Sequence, residues 1–140
     1  MSKRILLVED EPNIIEAVRF ILSRDGWVVT THSDGRTAVD AVARATPDVL
    51  VLDVMLPGRS GFEILRELRE RPETSRLPVL MLTAKGQERD RELAERYGVT
   101  RFMTKPFANA DVLQAVNALA APMPDASPAE RFPAAEGDRP

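Results

Sequence analysis

Glu9 and Asp10, Asp53, Thr83 and Lys105 each follow directly on a short apolar run, in "RILLVED", "DVLVLD", "PVLMLT" and "TRFMTKP". A carboxylate at the end of a buried strand is costly to desolvate unless something positive compensates it. Three carboxylates brought together call for a hard divalent cation, and oxygen ligands in a shallow site that keeps several waters suit Mg²⁺. Lys105 adds a compact positive charge and Thr83 a hydroxyl. A carboxylate nucleophile, a metal, a lysine and a hydroxyl donor suit a dianionic phosphoryl group. Asp53 is the best nucleophile candidate. It ends the most central strand, is ionised at neutral pH, and leads into "VMLPGRSG", where Pro57, Gly58 and Gly61 favour a turn.

These residues are far apart in the chain, so a fold must bring them together. Five β-branched apolar runs, 4–8, 27–31, 48–53, 78–82 and 100–104, alternate with segments of helical period. Ile14, Ile15, Val18, Ile21 and Leu22 share one helical face, as do Ala38, Val39 and Val42, then Ile64, Leu65 and Leu68, and finally Val112, Leu113, Val116 and Leu119. The interval 84–98 has a weaker stripe, chiefly Leu93, Ala94 and Tyr97. This alternation predicts βαβ units around a parallel sheet covered on both faces, an α/β three-layer sandwich. Parallel crossovers are right-handed, so the C-terminal strand ends share one edge, where ligands bind at the topological switch point.

The chain has 140 residues and a net charge of −3, a balance that gives no general affinity for nucleic acid or anionic membrane. It has no cysteine, which excludes disulfides and thiolate metal sites. No apolar run approaches the ~18 residues of a membrane helix and the N-terminus lacks a signal-peptide pattern, so the expectation is a cytoplasmic protein without membrane insertion. Residues 1–121 are expected to form one domain. Residues 122–140, rich in Pro and Ala, are expected to be a disordered tail, so no helix-turn-helix or other output module is expected after residue 121. Taken singly, Asp10-Glu11-Pro12 also reads as an acidic helix cap with proline in the first turn, Thr83 as a helix cap, and His32 as a surface loop residue.

The combination "LLVEDEP", "VLDVMLPGRSG", "MLTA" and "TKPF", in this order and with Thr83 thirty positions beyond Asp53, closely resembles the receiver domain of two-component response regulators. The resemblance spans residues 3 to about 120. It implies a flavodoxin-like, doubly wound fold, with a five-stranded parallel sheet of order 2-1-3-4-5 and five helices. By motif position it implies that Asp53 is the phospho-acceptor and Asp10 a direct Mg²⁺ ligand, with Glu9 acting largely through water and the Met55 backbone carbonyl as a third protein ligand. Thr83, Ala84 and Lys105 would meet phosphoryl oxygens, the bond before Pro106 would be cis, and Phe102 would be the switch aromatic. Met55 and Lys85 would flank the path of attacking water and tune the lifetime of the phosphorylated state. Lacking a tyrosine's hydroxyl, Phe102 should already populate its inward state appreciably.

The implied function is a phosphorylation-dependent signalling switch. It would accept its phosphoryl group from a histidine kinase or phosphotransfer protein and present a changed surface to a downstream protein. Two competing readings are a phosphohydrolase acting on outside substrates and an interaction domain indifferent to phosphorylation. A haloacid-dehalogenase-type hydrolase wants a second Asp two positions after the nucleophile, where this chain has Met55. DNA-binding members of the family often carry two acidic residues before the switch aromatic and basic residues late in the last helix. Here the strand has Thr100 and Arg101 and residues 109–121 contain no basic residue, so a monomer or weak dimer with no direct nucleic acid binding is expected.

Overall fold

A computed structural model of the chain describes residues 3–84 and 88–121. The expected tail at 122–140 and the role given to Lys85 lie outside the described residues. The strands are β1 (Arg4–Val8), β2 (Val28–His32), β3 (Val49–Asp53), β4 (Val79–Thr83) and β5 (Arg101–Thr104). The helices are α1 (Pro12–Arg24), α2 (Ala38–Ala45), α3 (Gly61–Glu70), α4 (Glu88–Arg96) and α5 (Asn109–Ala120), with a 3-10 turn (Gly35–Thr37) before α2. The strands form one parallel sheet of order β2-β1-β3-β4-β5, as the sequence motifs implied.

The alternation of side chains along each strand sorts the core into two halves. Leu6, Val8, Leu50, Leu52, Val79 and Met81 point to the layer of α2, α3 and α4, where Val39, Val42, Ile64, Leu65, Leu68 and Ala94 meet them. Ile5, Leu7, Val49, Val51, Leu80 and Leu82 point to α1 and α5, against Val18, Leu22, Val112, Ala115 and Val116. Every residue of β3 and β4 is buried, because helices cover both of their faces. The stripe on α4 is as thin as its sequence suggested. Only Ala94 of that helix is buried, with Tyr97 and Val99 packing beside it.

Four local expectations change. β2 begins one residue later than the apolar run. Trp27 instead sits in the core as the turn residue after Gly26, and its indole N–H donates to Asn117 Oδ1 at 3.1 Å. His32 is therefore the half-buried last residue of β2, not a loop residue, with Nε2 2.7 Å from Thr37 Oγ1. Pro12 does open α1, but the cap position is Glu11 and its side chain makes no capping hydrogen bond. Proline has no N–H to cap, and the Glu11 carboxylate finds a cation elsewhere. Thr83 stays in its strand.

Candidate acceptor site at the sheet edge

The register brings the acids together. Val8 pairs with Leu52, and one step further along the same two strands come Glu9 and Asp53. One carboxylate oxygen from each of Glu9, Asp10 and Asp53 lies within 4.8 Å of the others. Glu9 and Asp53 are buried, whereas Asp10 is exposed at the mouth. Thr83, buried at the end of β4, pairs with Thr104, and its carbonyl accepts from the Lys105 amide at 2.7 Å. The Lys105–Pro106 peptide bond is cis, as the motif implied.

Lys105 is the electrostatic hub. Its Nζ lies 3.2 Å from Asp53 Oδ1 and 3.3 Å from both Glu9 Oε2 and Glu11 Oε1. The ammonium is held above its ordinary pKa, since the attraction of Asp53 and Glu9 outweighs the desolvation that opposes it. Burial pushes Glu9 up to about 7, helped by the neighbouring Asp53 charge and resisted by Lys105. Desolvation raises Asp53 in the same way, against the pull of Lys105. One cation thus serves two buried carboxylates and an exposed one.

Two buried oxygens remain without a hydrogen bond, Glu9 Oε1 and Asp53 Oδ1; the latter has Lys105 as its charge partner only. Orphaned buried carboxylate oxygens are expensive unless something else satisfies them. An all-oxygen donor set with one exposed member fits a hard cation that keeps water.

The acceptor loop between β3 and α3 is anchored at both ends. The Val54 amide donates to Leu82 O at 2.8 Å, and the Gly61 amide to Val54 O at 2.8 Å. Gly61 is required by close approach, because a Cβ there would run into the Asp53 carbonyl oxygen. Ser60 caps α3, its Oγ accepting from the Glu63 amide at 3.3 Å. Ser-x-x-Glu before an apolar stripe is the sequence signal for such a cap. Met55 stands exposed on this loop, next but one to Asp53. Ala84 is exposed beside Lys105, Pro106 and Phe107, lining a groove of about 500 Å³ that runs along α1. Phe102 is half-buried against the α2–α4 layer, away from the carboxylates, with the Arg91 guanidinium 5.4 Å from its ring centroid.

Glu11 was missed as a site residue. Its side chain reaches Lys105 and its amide donates to Glu9 Oε2 at 3.2 Å. The only signal was its place as third acid in "EDE", which a helix N-terminus also explains.

A parallel doubly wound domain with a carboxylate cluster and a lysine at the switch point is the class these features define. The response regulator receiver domain model matches residues 5–117, and the chain belongs to that family. It is therefore a receiver domain of two-component signalling. A crystal structure described as a putative response regulator from Chloroflexus aurantiacus is 28% identical, with a TM-score of 0.81 over 86% of this chain and 98% of that one. The receiver domain of a sensor histidine kinase from Pseudomonas aeruginosa, with a magnesium ion coordinated in its active site cleft, is 31% identical (TM-score 0.78; 86% and 98% covered). The BeF3-activated N-terminal receiver domain of RstA from Klebsiella pneumoniae is 26% identical (TM-score 0.77; 84% and 97% covered).

Proposed function

We propose that Asp53 accepts a phosphoryl group from the phosphohistidine of a histidine kinase or phosphotransfer protein, and that the domain then signals to a downstream protein through an altered surface. The carrying observation is the convergence of Glu9, Asp10 and Asp53 on one another with Lys105 Nζ 3.2 Å from Asp53. An Asp53 carboxylate oxygen attacks phosphorus, a P–O bond forms as the P–N bond breaks, and the donor imidazole leaves with its electron pair. Glu9, Asp10, Asp53 and the Met55 carbonyl would hold Mg²⁺, which neutralises charge on the phosphoryl oxygens when bound. Lys105 neutralises another oxygen and Thr83 donates its hydroxyl to a third. The fit to Mg²⁺ is supported by the magnesium bound in the Pseudomonas relative.

Action on outside phosphoesters is not part of this reading. A hydrolase of that kind needs an acid/base beside its nucleophile, and two positions beyond Asp53 stands an apolar Met55. Among the described residues no helix is long and apolar enough to cross a membrane.

Incubation with a small phosphodonor should add one phosphoryl mass to the wild type only when Mg²⁺ is present, and none to Asp53→Asn. Labelling in excess chelator, or labelling that survives in the variant, would overturn the assignment.

A further inference from the structure

The turn between β2 and α2 lies against the acceptor loop, backbone on backbone. The Gly35 amide donates to Pro57 O at 3.0 Å, and a Cβ on this buried glycine would collide with the Arg59 carbonyl oxygen and come within 2.9 Å of Pro57 O. Among the described residues, Pro57 O is the only backbone atom of 55–59 bonded to another segment's backbone. Arg36 adds a second grip. Its methylenes lie over Gly58, with Cγ 2.5 Å and Cδ 2.9 Å from where a Cβ of that residue would stand. Asp34 fixes Arg36 in that pose by accepting from its amide (2.9 Å), Nε (3.3 Å) and Nη2 (3.0 Å). At its other end the segment holds the opposite wall of the site, since the His32 carbonyl accepts from the Glu9 amide at 3.0 Å. The residues from His32 to Arg36 therefore touch both the Glu9 side and the Asp53 side of the carboxylate cluster.

We infer that Arg36 is a positioning residue. Its stem, held by Asp34, clamps the loop that carries Met55 and so sets the spacing between the Met55 carbonyl and the carboxylates. This rests on the function proposed above. The clamp is made by the aliphatic stem, and the bond from the Arg36 backbone amide to Asp34 Oδ1 holds the residue in place without the guanidinium. Nothing in the motifs that mark the family includes this arginine, and its partners in the clamp are Asp34 and Gly58, neither of them an acceptor-site residue.

The test compares Arg36→Ala, which removes the stem, with Arg36→Met, which keeps its length without charge. Gly35→Ala is unsuitable as the main probe because the collision it creates could unfold the turn. In excess chelator, Arg36→Ala should speed hydrogen exchange of the Gly35 and Gly61 amides, which donate to Pro57 O and Val54 O of the loop, and leave the amides of β1 and β3 at wild-type rates. By calorimetry its Mg²⁺ affinity should fall about tenfold, the lower end of what loss of a supporting contact around a metal site costs, with Arg36→Met within about twofold of wild type. Unchanged exchange of these two amides and unchanged Mg²⁺ affinity in Arg36→Ala would overturn the clamp. So would losses as large in Arg36→Met, or a uniform rise across β1 and β3, which would mean general destabilisation. If the wild type itself binds no Mg²⁺, the proposed function fails, and the exchange comparison still decides the clamp.

Discussion

At the scale of single residues, the proposed acceptor is flanked by one side chain with freedom to act. Met55 is exposed on the acceptor loop two residues beyond Asp53, so its side chain stands near any group carried there. An apolar side chain excludes water from an in-line approach, whereas an asparagine could bind and orient that water. Replacing Met55 with asparagine should therefore hasten loss of the phosphoryl group from Asp53. A barrier lower by about 1 kcal/mol gives roughly a fivefold faster decay. The decay of phosphorylated protein after removal of donor measures this, and an unchanged or slower decay in Met55→Asn would refute the shielding. The candidate site was legible where a polar residue interrupts a buried run, which is why Glu9, Asp10, Asp53, Thr83 and Lys105 could be named from sequence. Glu11 and Arg36 were not legible. Each acts through a tertiary approach, Glu11 to Lys105 across the edge and Arg36 to Gly58 between two loops, and on a linear reading each is an ordinary exposed charge near a turn.

At the scale of elements, the proposed change at the acceptor is expected to reach the face formed by α4, β5 and α5. Phe102 sits half-buried there under the Arg91 guanidinium. A cation over a ring is worth about 0.5–1 kcal/mol at an exposed site and about 2 kcal/mol when desolvated, so at this half-buried ring the contact biases the ring without locking it. Phe102 also has no hydroxyl that must stay in water. Moving an equilibrium from 1:99 to 99:1 takes about 5.5 kcal/mol, and a ring that starts nearer balance is shifted by much less. NMR of the unmodified domain should show exchange between two Phe102 ring environments. Beryllofluoride should move the populations modestly, and Arg91→Gln should move them without it. A single environment replaced completely by another on adding beryllofluoride would sink the balanced picture. The elements themselves were legible because buried runs and amphipathic faces dominate this chain. Their edges were not, because a strand's first residue is set by its partner's register. Trp27 reads as the first residue of a β-rich run, yet it is held out of β2 by the turn at Gly26 and by its bond to Asn117 on α5.

At the scale of the whole molecule, the carboxylate cluster should show in how stability depends on pH, because it is a cost the rest of the fold carries. Glu9 is raised to about 7, first by burial and then by Asp53, and Asp53 is raised by burial. A carboxyl group whose pKa is higher in the folded state stabilises that state below its unfolded value. The benefit is lost as pH climbs through the folded value. With chelator present, the melting temperature should therefore rise as pH falls from about 8 toward 5. A gain on the order of 1–2 kcal/mol corresponds to several degrees for a domain of this size. Below that window the trend should reverse. Asp25 is held low by Asn117 and Lys3, Asp34 by Arg36, and Glu67 by Arg59 and Arg71, so their contributions are lost on protonation. Lys105, raised by Asp53 and Glu9, titrates far above the window and leaves the slope untouched. Saturating Mg²⁺ should flatten or invert the slope between pH 5 and 8, since a cation among the acids favours their ionised forms. Glu9→Gln should abolish most of the slope in chelator, because an amide of the same shape is neutral at every pH. Calorimetric melting of the wild type and Glu9→Gln, each with Mg²⁺ and with chelator, tests the account. A wild-type protein in chelator that loses stability between pH 8 and 5, or a Glu9→Gln protein with the wild-type slope, would show that the buried pair is not the strained element of this fold.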